Sequence, residues 1–336
     1  MTAEVLSTHT PALFAAAVKR AAERLRAGEV VALPTETVYG LAANALDKEA
    51  VAKIFQIKGR PANNPIIVHI AGIAMAKRCV ADWPAGASRL AKAFWPGPLT
   101  LVLPRAREIP DIVSAGGSTV GVRWPGHPFI QAVIRECGFP LAAPSANLSN
   151  RVSPTNAGHV GRQLRGKICL IVDGGQSQIG IESTVLDLTV SPPRVLRPGM
   201  IPAESLAAIV GEAPGGKSKA GTEMALRSPG LLKKHYSPRA RLLVLNWRND
   251  VDLNSQLSTL NAQRLVCHVI AHTCIPSAEN FARVSVMPHD AEAFARALYA
   301  ELHHCDEAGA DVIVVEAPPE SPALSGIADR LRRAAA

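Results

Sequence analysis

Aromatic residues are scarce in this 336-residue chain: four Trp, three Tyr and seven Phe amount to 4% of it. Stacking platforms for unpaired bases are therefore poorly supplied, which disfavours a protein that works by gripping nucleic acid alone. The six cysteines (Cys79, Cys137, Cys169, Cys267, Cys274 and Cys305) include no CxxC pair and no zinc-like Cys/His spacing, so neither a disulfide scaffold nor a structural metal is expected. No apolar run approaches the ~18 to 20 residues that cross a bilayer, and residues 1–10 lack the basic and apolar regions of a secretory leader. The expectation is a cytoplasmic protein with no membrane partner. GxSxG, HExxH, EF-hand loops and clustered Asp/Glu cages are also missing, which argues against acyl-enzyme hydrolysis and all-protein metal catalysis.

What remains is globular. Hydrophobic residues make up 48% and charged residues 19%, and the length allows one ordinary domain plus a smaller one. The formal charge of +8 is uneven: residues 1–212 carry 22 basic and 15 acidic side chains, 213–241 seven and one, and 242–336 seven and twelve. A basic front two-thirds favours anionic ligands, nucleotide phosphates or nucleic acid, over a membrane surface. Within 211–238, Gly211, Pro214, Gly215, Gly216, Gly221, Pro229, Gly230 and Pro238 mix with Lys217, Lys219, Lys233 and Lys234. That is linker composition, dividing the chain into a first domain (1–210), a basic Gly/Pro-rich linker (211–239) and a second domain (240–336).

In the first domain, segments 30–33, 66–70, 100–103, 119–123, 168–172 and 183–188 read as strands. Helical patterns separate several of them, notably 11–27, with Leu13, Phe14, Ala17, Val18, Ala21 and Leu25 inward, and 47–57, with Asp47 as N-cap. This domain is mixed α/β. The second reads as strand 241–245, helix 253–263, strand 264–270, helix 290–305, strand 312–316 and a final helix, the alternation of a small Rossmann-like parallel sheet without the GxGxxG of a dinucleotide site. Phe294, Leu298, Leu302 and Cys305 form its helix stripe, and His303–His304 beside them reads as solvated surface rather than a metal site.

Several strands stop at clusters of small and polar residues, which is where α/β folds bind ligands. Pro34-Thr35-Glu36-Thr37 is either a capped turn or a cradle for the amine and hydroxyl of a small polar substrate. Lys58-Gly59-Arg60 followed by Pro61, Asn63, Asn64 and Pro65 sets two cations on a glycine hinge. It suits a polyphosphate, or simply answers a helix dipole. Strand alternation puts Thr119, Gly121 and Arg123 on one face, so Arg123 projects over a residue with no side chain, towards either a ligand anion or a buried ion pair. Ala142-Ala143-Pro144-Ser145-Ala146-Asn147 is a stretch of small residues that a ligand could approach closely. Ser153, Glu182-Ser183 and Arg197 complete an inventory suited to phosphoryl or nucleotidyl chemistry by positioning and charge, with Mg2+ carried on substrate phosphates and no tightly bound protein metal.

Taken in order, PTETVYGL, KGRPANNP, VHI, WPGPLT, STVGVRWP, APSAN, DGG, GIESTV, RPG and HYSP resemble the threonylcarbamoyl-AMP synthase family in its long two-domain form, over residues 25 to about 240. Residues 325–330, SGIADR, resemble that family's closing motif, with Asp329 where Asn is common. The resemblance implies a YrdC-like twisted mixed sheet with helices, plus the Rossmann-like accessory domain. It also implies a reaction in which L-threonine, bicarbonate or CO2, and ATP give threonylcarbamoyl-adenylate and pyrophosphate, feeding threonylcarbamoyl-transferase machinery that modifies adenosine 37 of tRNA. By the family pattern, threonine meets Thr37, His69, Arg123, Ala143 and Ser183. ATP meets Lys58, Arg60, Asn64, Thr119, Ser145, Asn147, Ser153, Arg197 and Tyr236, with Lys58 and Arg60 catalytic. Competing readings are a non-catalytic binder of double-stranded RNA or tRNA and a nucleotide-sensing regulator; a weak tRNA contact is compatible with the enzyme as well.

Overall fold

A computed structural model describes residues 3–211, 228, 234–258 and 265–336. Most of the interval read as linker, 212–227 and 229–233, thus lies outside the described residues, as do 259–264 at the end of the expected 253–263 helix. Ten strands build the large sheet: β1 (Glu4–Ser7), β2 (Val31–Leu33), β3 (Gly40–Asn44), β4 (Val68–His69), β5 (Leu99–Pro104), β6 (Thr119–Arg123), β7 (Leu141–Ala142), β8 (Leu170–Asp173), β9 (Thr184–Asp187) and β10 (Arg194–Arg197). They lie in the order β1-β8-β2-β3-β7-β4-β6-β5-β9-β10, with parallel and antiparallel pairs mixed.

Local chemistry sets the elements that carry the site. Helix Pro11–Arg26 starts at Thr10, whose hydroxyl accepts from Leu13 N, and has Pro11 at its first position. It buries Ala17, Val18, Ala21, Ala22 and Leu25; Leu13, expected inward, is 42% exposed, and the first turn packs instead through Phe14, edge-on to Phe129 at 5.2 Å. Helix Lys48–Lys58 is capped by Asp47 Oδ1, which accepts from Glu49 N at 2.9 Å and Ala50 N at 3.2 Å. Gly59 ends it at φ 60°, a left-handed turn that sends Arg60 back towards the sheet.

The second sheet has strands β11 (Arg241–Leu245), β12 (Cys267–Ala271), β13 (Arg283–Val286) and β14 (Val312–Glu316), ordered β11-β14-β12-β13 and parallel throughout. The expected Rossmann-like alternation holds, with β13 an additional edge strand. At the carboxyl end of β14, where parallel sheets commonly bind anions, the Glu316 carboxylate accepts from the amides of His272 (2.6 Å), Thr273 (2.8 Å) and Cys274 (3.1 Å). A protein carboxylate fills that nest.

The two sheets' domains share a core. Val38, Val152 and Ile181 cluster with Tyr236, Phe294, Leu298, Tyr299, Ile327 and Leu331. Helix Ala291–Glu307 crosses Gly180 so closely that a Cβ there would stand 2.4 Å from Ala295 O and 2.5 Å from Arg296 Cα, and Gly180 has φ 86°. Gly180→Ala combines left-handed strain with a backbone clash. It is expected to cost roughly 2–4 kcal/mol of stability in chemical denaturation; a loss below about 0.5 kcal/mol would show that the docking yields freely.

His303 corrects the sequence reading. It is buried, its ring stacked on His159 of the first domain at a centroid distance of 3.9 Å, with Nε2 bonded to Ser153 O at 3.1 Å. A helix stripe cannot reveal this, because the surface that covers His303 belongs to the other domain. Ligand atoms of His159, His303 and Glu307 lie within 4.8 Å of one another, but Glu307 also pairs with Arg162 at 2.5 Å and His159 Nδ1 contacts Thr155 N and Oγ1 at 3.2 Å each.

Candidate active site

A narrow cavity collects residues that are distant in sequence. Its wall includes Thr35, Thr37 and Gly40 from the β2–β3 turn, Arg60 from the loop after helix Lys48–Lys58, Ile67 and His69 from β4 and its approach, and Arg123 from the end of β6. Ala143, Pro144 and Ser145 follow β7, Glu182 and Ser183 precede β9, Arg197 ends β10, and His235 and Tyr236 close one side. Because the sheet is mixed, no single strand edge explains the place; loops from opposite ends of the sheet fold over it. The register that pairs His69 with Arg123 sets those two side by side.

All five residues implied for threonine (Thr37, His69, Arg123, Ala143, Ser183) line this cavity, as do Arg60, Ser145, Arg197 and Tyr236 from the ATP set. Lys58, Asn64, Asn147 and Ser153 sit behind the wall, all buried, and Thr119 lies at the opposite end of β6 from Arg123. Lys58 Nζ donates to the carbonyls of Ser145 and Asn147, bracing the small-residue loop from beneath. Burial, with Arg60 nearby, pushes its ammonium well below the ordinary lysine value, against the pull of Glu182. Asn147 donates to the carbonyls of Leu148 and Arg151, both at 2.8 Å, and its Oδ1 has no partner among the described residues.

Of the two alternatives left open by the sequence, the buried ion pair is present at Arg123. Its Nη2 donates to Glu36 Oε1 at 2.7 Å in an ion pair whose side chains are only 4% and 7% exposed. Its Nη1 donates to Thr37 Oγ1 at 2.9 Å and its Nε to Gly97 O at 3.2 Å, yet the guanidinium still forms part of the wall. Burial alone would raise Glu36, but the Arg123 charge outweighs it and holds that carboxyl below its usual value. Beside the pair, burial and then Arg123 drive His69 down to about 3, so its imidazole is neutral.

The other end of the cavity is richer in cations. Arg60 spends Nε on Asn64 O at 3.0 Å and Nη2 on Asn64 Oδ1 at 2.7 Å and Pro65 O at 2.6 Å. Burial brings it down to about 9, Tyr236 opposing and Arg197 adding to the fall. Arg197 donates to Ser183 O and Oγ, both at 3.1 Å, and Ser183 Oγ meets Thr100 Oγ1 at 2.8 Å. Glu182, singled out with Ser183 at a strand start but given no ligand, and His235, contained in the HYSP block but unmarked by anything local, are also in the wall.

The chain is similar to known proteins along nearly its whole length. Residues 23–199 match a family model described as telomere recombination, the Sua5, YciO and YrdC group, and residues 201–336 match the C-terminal domain of threonylcarbamoyl-AMP synthase. The threonylcarbamoyl-AMP synthase of Pyrococcus abyssi is 40% identical over 321 residues, covering 94% of this chain and 93% of that one.

The chain belongs to the threonylcarbamoyl-AMP synthase family.

A Bacillus subtilis threonylcarbamoyl-AMP synthase is likewise 40% identical, over 332 residues, with 98% and 94% coverage. The crystal structure of Pyrococcus abyssi Sua5 complexed with L-threonine matches at a TM-score of 0.89 and 38% identity, covering 100% of this chain and 98% of that one. As a member of the threonylcarbamoyl-AMP synthases the chain is an enzyme of nucleotidyltransferase type, and its YrdC-like sheet with a Rossmann-like accessory domain is the architecture of Sua5 structures. No helix among the described residues is long and apolar enough to cross a membrane.

Proposed function

We propose that this chain condenses L-threonine, bicarbonate or CO2, and ATP into threonylcarbamoyl-adenylate and pyrophosphate, for the modification of adenosine 37 in tRNA. The observation that carries this reading is the single cavity lined by Arg123, Thr37, His69, Ala143 and Ser183 together with Arg60, Ser145 and Arg197. The Arg123 guanidinium grips the threonine carboxylate. The free amine takes up CO2 and gives up a proton, leaving a carbamate. A carbamate oxygen then attacks the α-phosphorus of ATP as the bond to the β-phosphate oxygen breaks and pyrophosphate departs. No protein nucleophile is required: holding two anions together and offsetting their repulsion supplies the rate, and effective molarities of ~10^5 M or more are attainable in well-oriented systems.

Arg60 and Lys58 are assigned to the departing pyrophosphate. Mg2+ arrives on the ATP phosphates: among the described residues the wall offers one carboxylate, Glu182, already shared by Arg330, Tyr299 and Ser153. The cavity's volume of about 50 Å³ is far too small for ATP, so its wall must open to admit the nucleotide. A larger hollow of about 640 Å³, lined by Arg151, Lys234, Arg239 and Arg241, holds none of the threonine or ATP residues; any weak tRNA contact is assigned there on charge grounds.

The test is pyrophosphate release with threonine and bicarbonate omitted in turn. Dependence on both supports the synthase and release that needs neither overturns it; ATP binding without release supports a regulator, and a steep salt slope for RNA without any release supports a nucleic-acid binder. In the same assay Arg60→Ala should retain the fold by circular dichroism and lose pyrophosphate release by roughly 100- to 1,000-fold. Near-normal turnover would remove Arg60 from the chemistry.

A further inference from the structure

Two side chains of the accessory domain converge on one buried carboxylate of the catalytic wall. Arg330, in the last helix (Ser325–Ala334), is completely buried and 148 residues from the group it serves. Its Nε donates to Glu182 Oε2 at 2.7 Å, its Nη2 to Glu182 O at 3.2 Å and its Nη1 to Pro198 O at 2.9 Å. Tyr299, from helix Ala291–Glu307, donates its hydroxyl to the same Oε2 at 3.1 Å. The remaining oxygen, Oε1, accepts from Ser153 Oγ at 2.6 Å, and the Ser153 carbonyl is in turn bonded to His303 of the same accessory helix at 3.1 Å.

We propose that Arg330 and Tyr299 are positioning residues for nucleotide binding, fixing Glu182 so that the Ser153 hydroxyl commits its proton to that carboxylate and turns only its lone pairs to ATP. This rests on the synthase reading of the cavity. Three residues assigned to ATP, namely Ser153, Arg197 and Lys58, interact with Glu182, so its charge and orientation govern that end of the site. A carboxylate buried to this degree persists as an anion only while cations compensate it. Burial works against ionisation of Glu182, and Arg330 followed by Arg197 overcomes it, bringing the group to about 2. Without Arg330 the carboxyl takes up a proton more readily. Protonated, it becomes a donor in its own right, and what it offers Ser153 is a neutral and weaker acceptor.

The charged and titratable groups facing Glu182 are Arg330 and Tyr299 from the accessory helices, Arg197 from β10, Lys58 from its helix end, and His235 and Tyr236 from the closing stretch. All but Arg330 are present in an Arg330→Met chain, but Arg330 also pairs with buried Asp329 at 3.1 Å, so a new titration there belongs to Glu182 only if Glu182→Gln abolishes it.

Steady-state pyrophosphate release from pH 5 to 8, divided at each pH by the folded fraction read from circular dichroism, and calorimetric ATP binding to the full chain test the proposal. Arg330→Met should raise the KM for ATP at least tenfold while the KM for threonine stays within about twofold, and kcat/KM for ATP should acquire an acid limb that the parent lacks. Arg330→Lys should recover most of the ATP affinity. Glu182→Gln should be weak for ATP at every pH, without the limb, and adding Arg330→Met to it should change little further. Equal loss for both substrates, or loss of thermal stability alone with no acid limb, overturns the proposal. Should Arg330→Met not fold, Tyr299→Phe removes one donor without a charge and should raise the ATP Kd several-fold; an unchanged Kd is equally fatal. The calorimetric arm needs no turnover, so absence of threonine-dependent release in the parent chain would sink the synthase reading while Arg330 was still tested on ATP affinity.

Discussion

Replacing Arg123 by alanine is expected to damage the protein twice, and the two injuries can be separated. The first is to stability: Glu36 would be left as a buried carboxylate with its ion-pair partner gone, and breaking a buried pair from one side costs ~3–5 kcal/mol. The second is to substrate: loss of the forked guanidinium should raise the KM for threonine by roughly 100-fold or more, because charge-assisted bidentate contacts to a carboxylate are among the stronger ones a site can make. ATP affinity, measured calorimetrically without threonine, should move far less, since the cations assigned to the triphosphate are Arg60, Lys58 and Arg197. The separation comes from Glu36→Gln combined with Arg123→Ala. With no carboxylate left unpaired, most of the lost stability should return, as seen in the denaturation midpoint, while threonine dependence stays impaired. A single Arg123→Ala chain that melts lower yet keeps a normal KM for threonine would reduce Arg123 to a structural ion pair and deprive the cavity of its amino-acid end.

That ion pair also marks where the sequence stopped being sufficient. Alternation along β6 put Arg123 on the face of Gly121, but the acid it pairs with there, Glu36, lies 87 residues earlier and no local pattern could name it. Strands rich in β-branched residues were legible nearly to the residue, Thr119–Arg123 and Val312–Glu316 among them. β3, with the sequence GLAAN, was not: its small side chains are packed on both faces and carry neither alternation nor branching. β13 escaped for the opposite reason, being a four-residue edge strand with partly exposed side chains. The same limit applies to Lys58. Its place before Gly59 suggested a phosphate ligand but gave no sign that its ammonium also braces two carbonyls of the Ser145–Asn147 loop, contacts closed across 87 and 89 residues. Local pattern told which residues carry charge and room; only the fold told which charges face one another.

Acid should unfold this protein at milder pH than its carboxylates alone would require, because four buried histidines are held neutral. Burial carries His69, His159 and His235 down to about 3 and His303 to about 4. In the unfolded chain each titrates near 6.5, so below that pH the unfolded state binds protons that the folded state refuses, and stability falls as pH falls. The loss begins near 6.5 and continues until the folded-state values are reached. At pH 5 it amounts to about 2 kcal/mol per histidine, or about 8 kcal/mol for the four, which is comparable to the ~5–15 kcal/mol that stabilises a typical domain. His127 and His268 shift in the same direction and add to it. Glu182, depressed to about 2, withdraws its own contribution only later, as pH drops from about 4.5 towards 2. The measurable quantity is the pH slope of the unfolding free energy between 6 and 5, where nearly four protons should be taken up on unfolding, corresponding to ~5 kcal/mol per pH unit. His159→Gln combined with His303→Gln should lower that uptake by about two protons whatever it does to stability at neutral pH, since the slope counts protons rather than contacts. An uptake below one proton in the parent chain would mean that these imidazoles are charged or solvated in the folded state. The stacked pair joining the two domains would then have to be drawn differently.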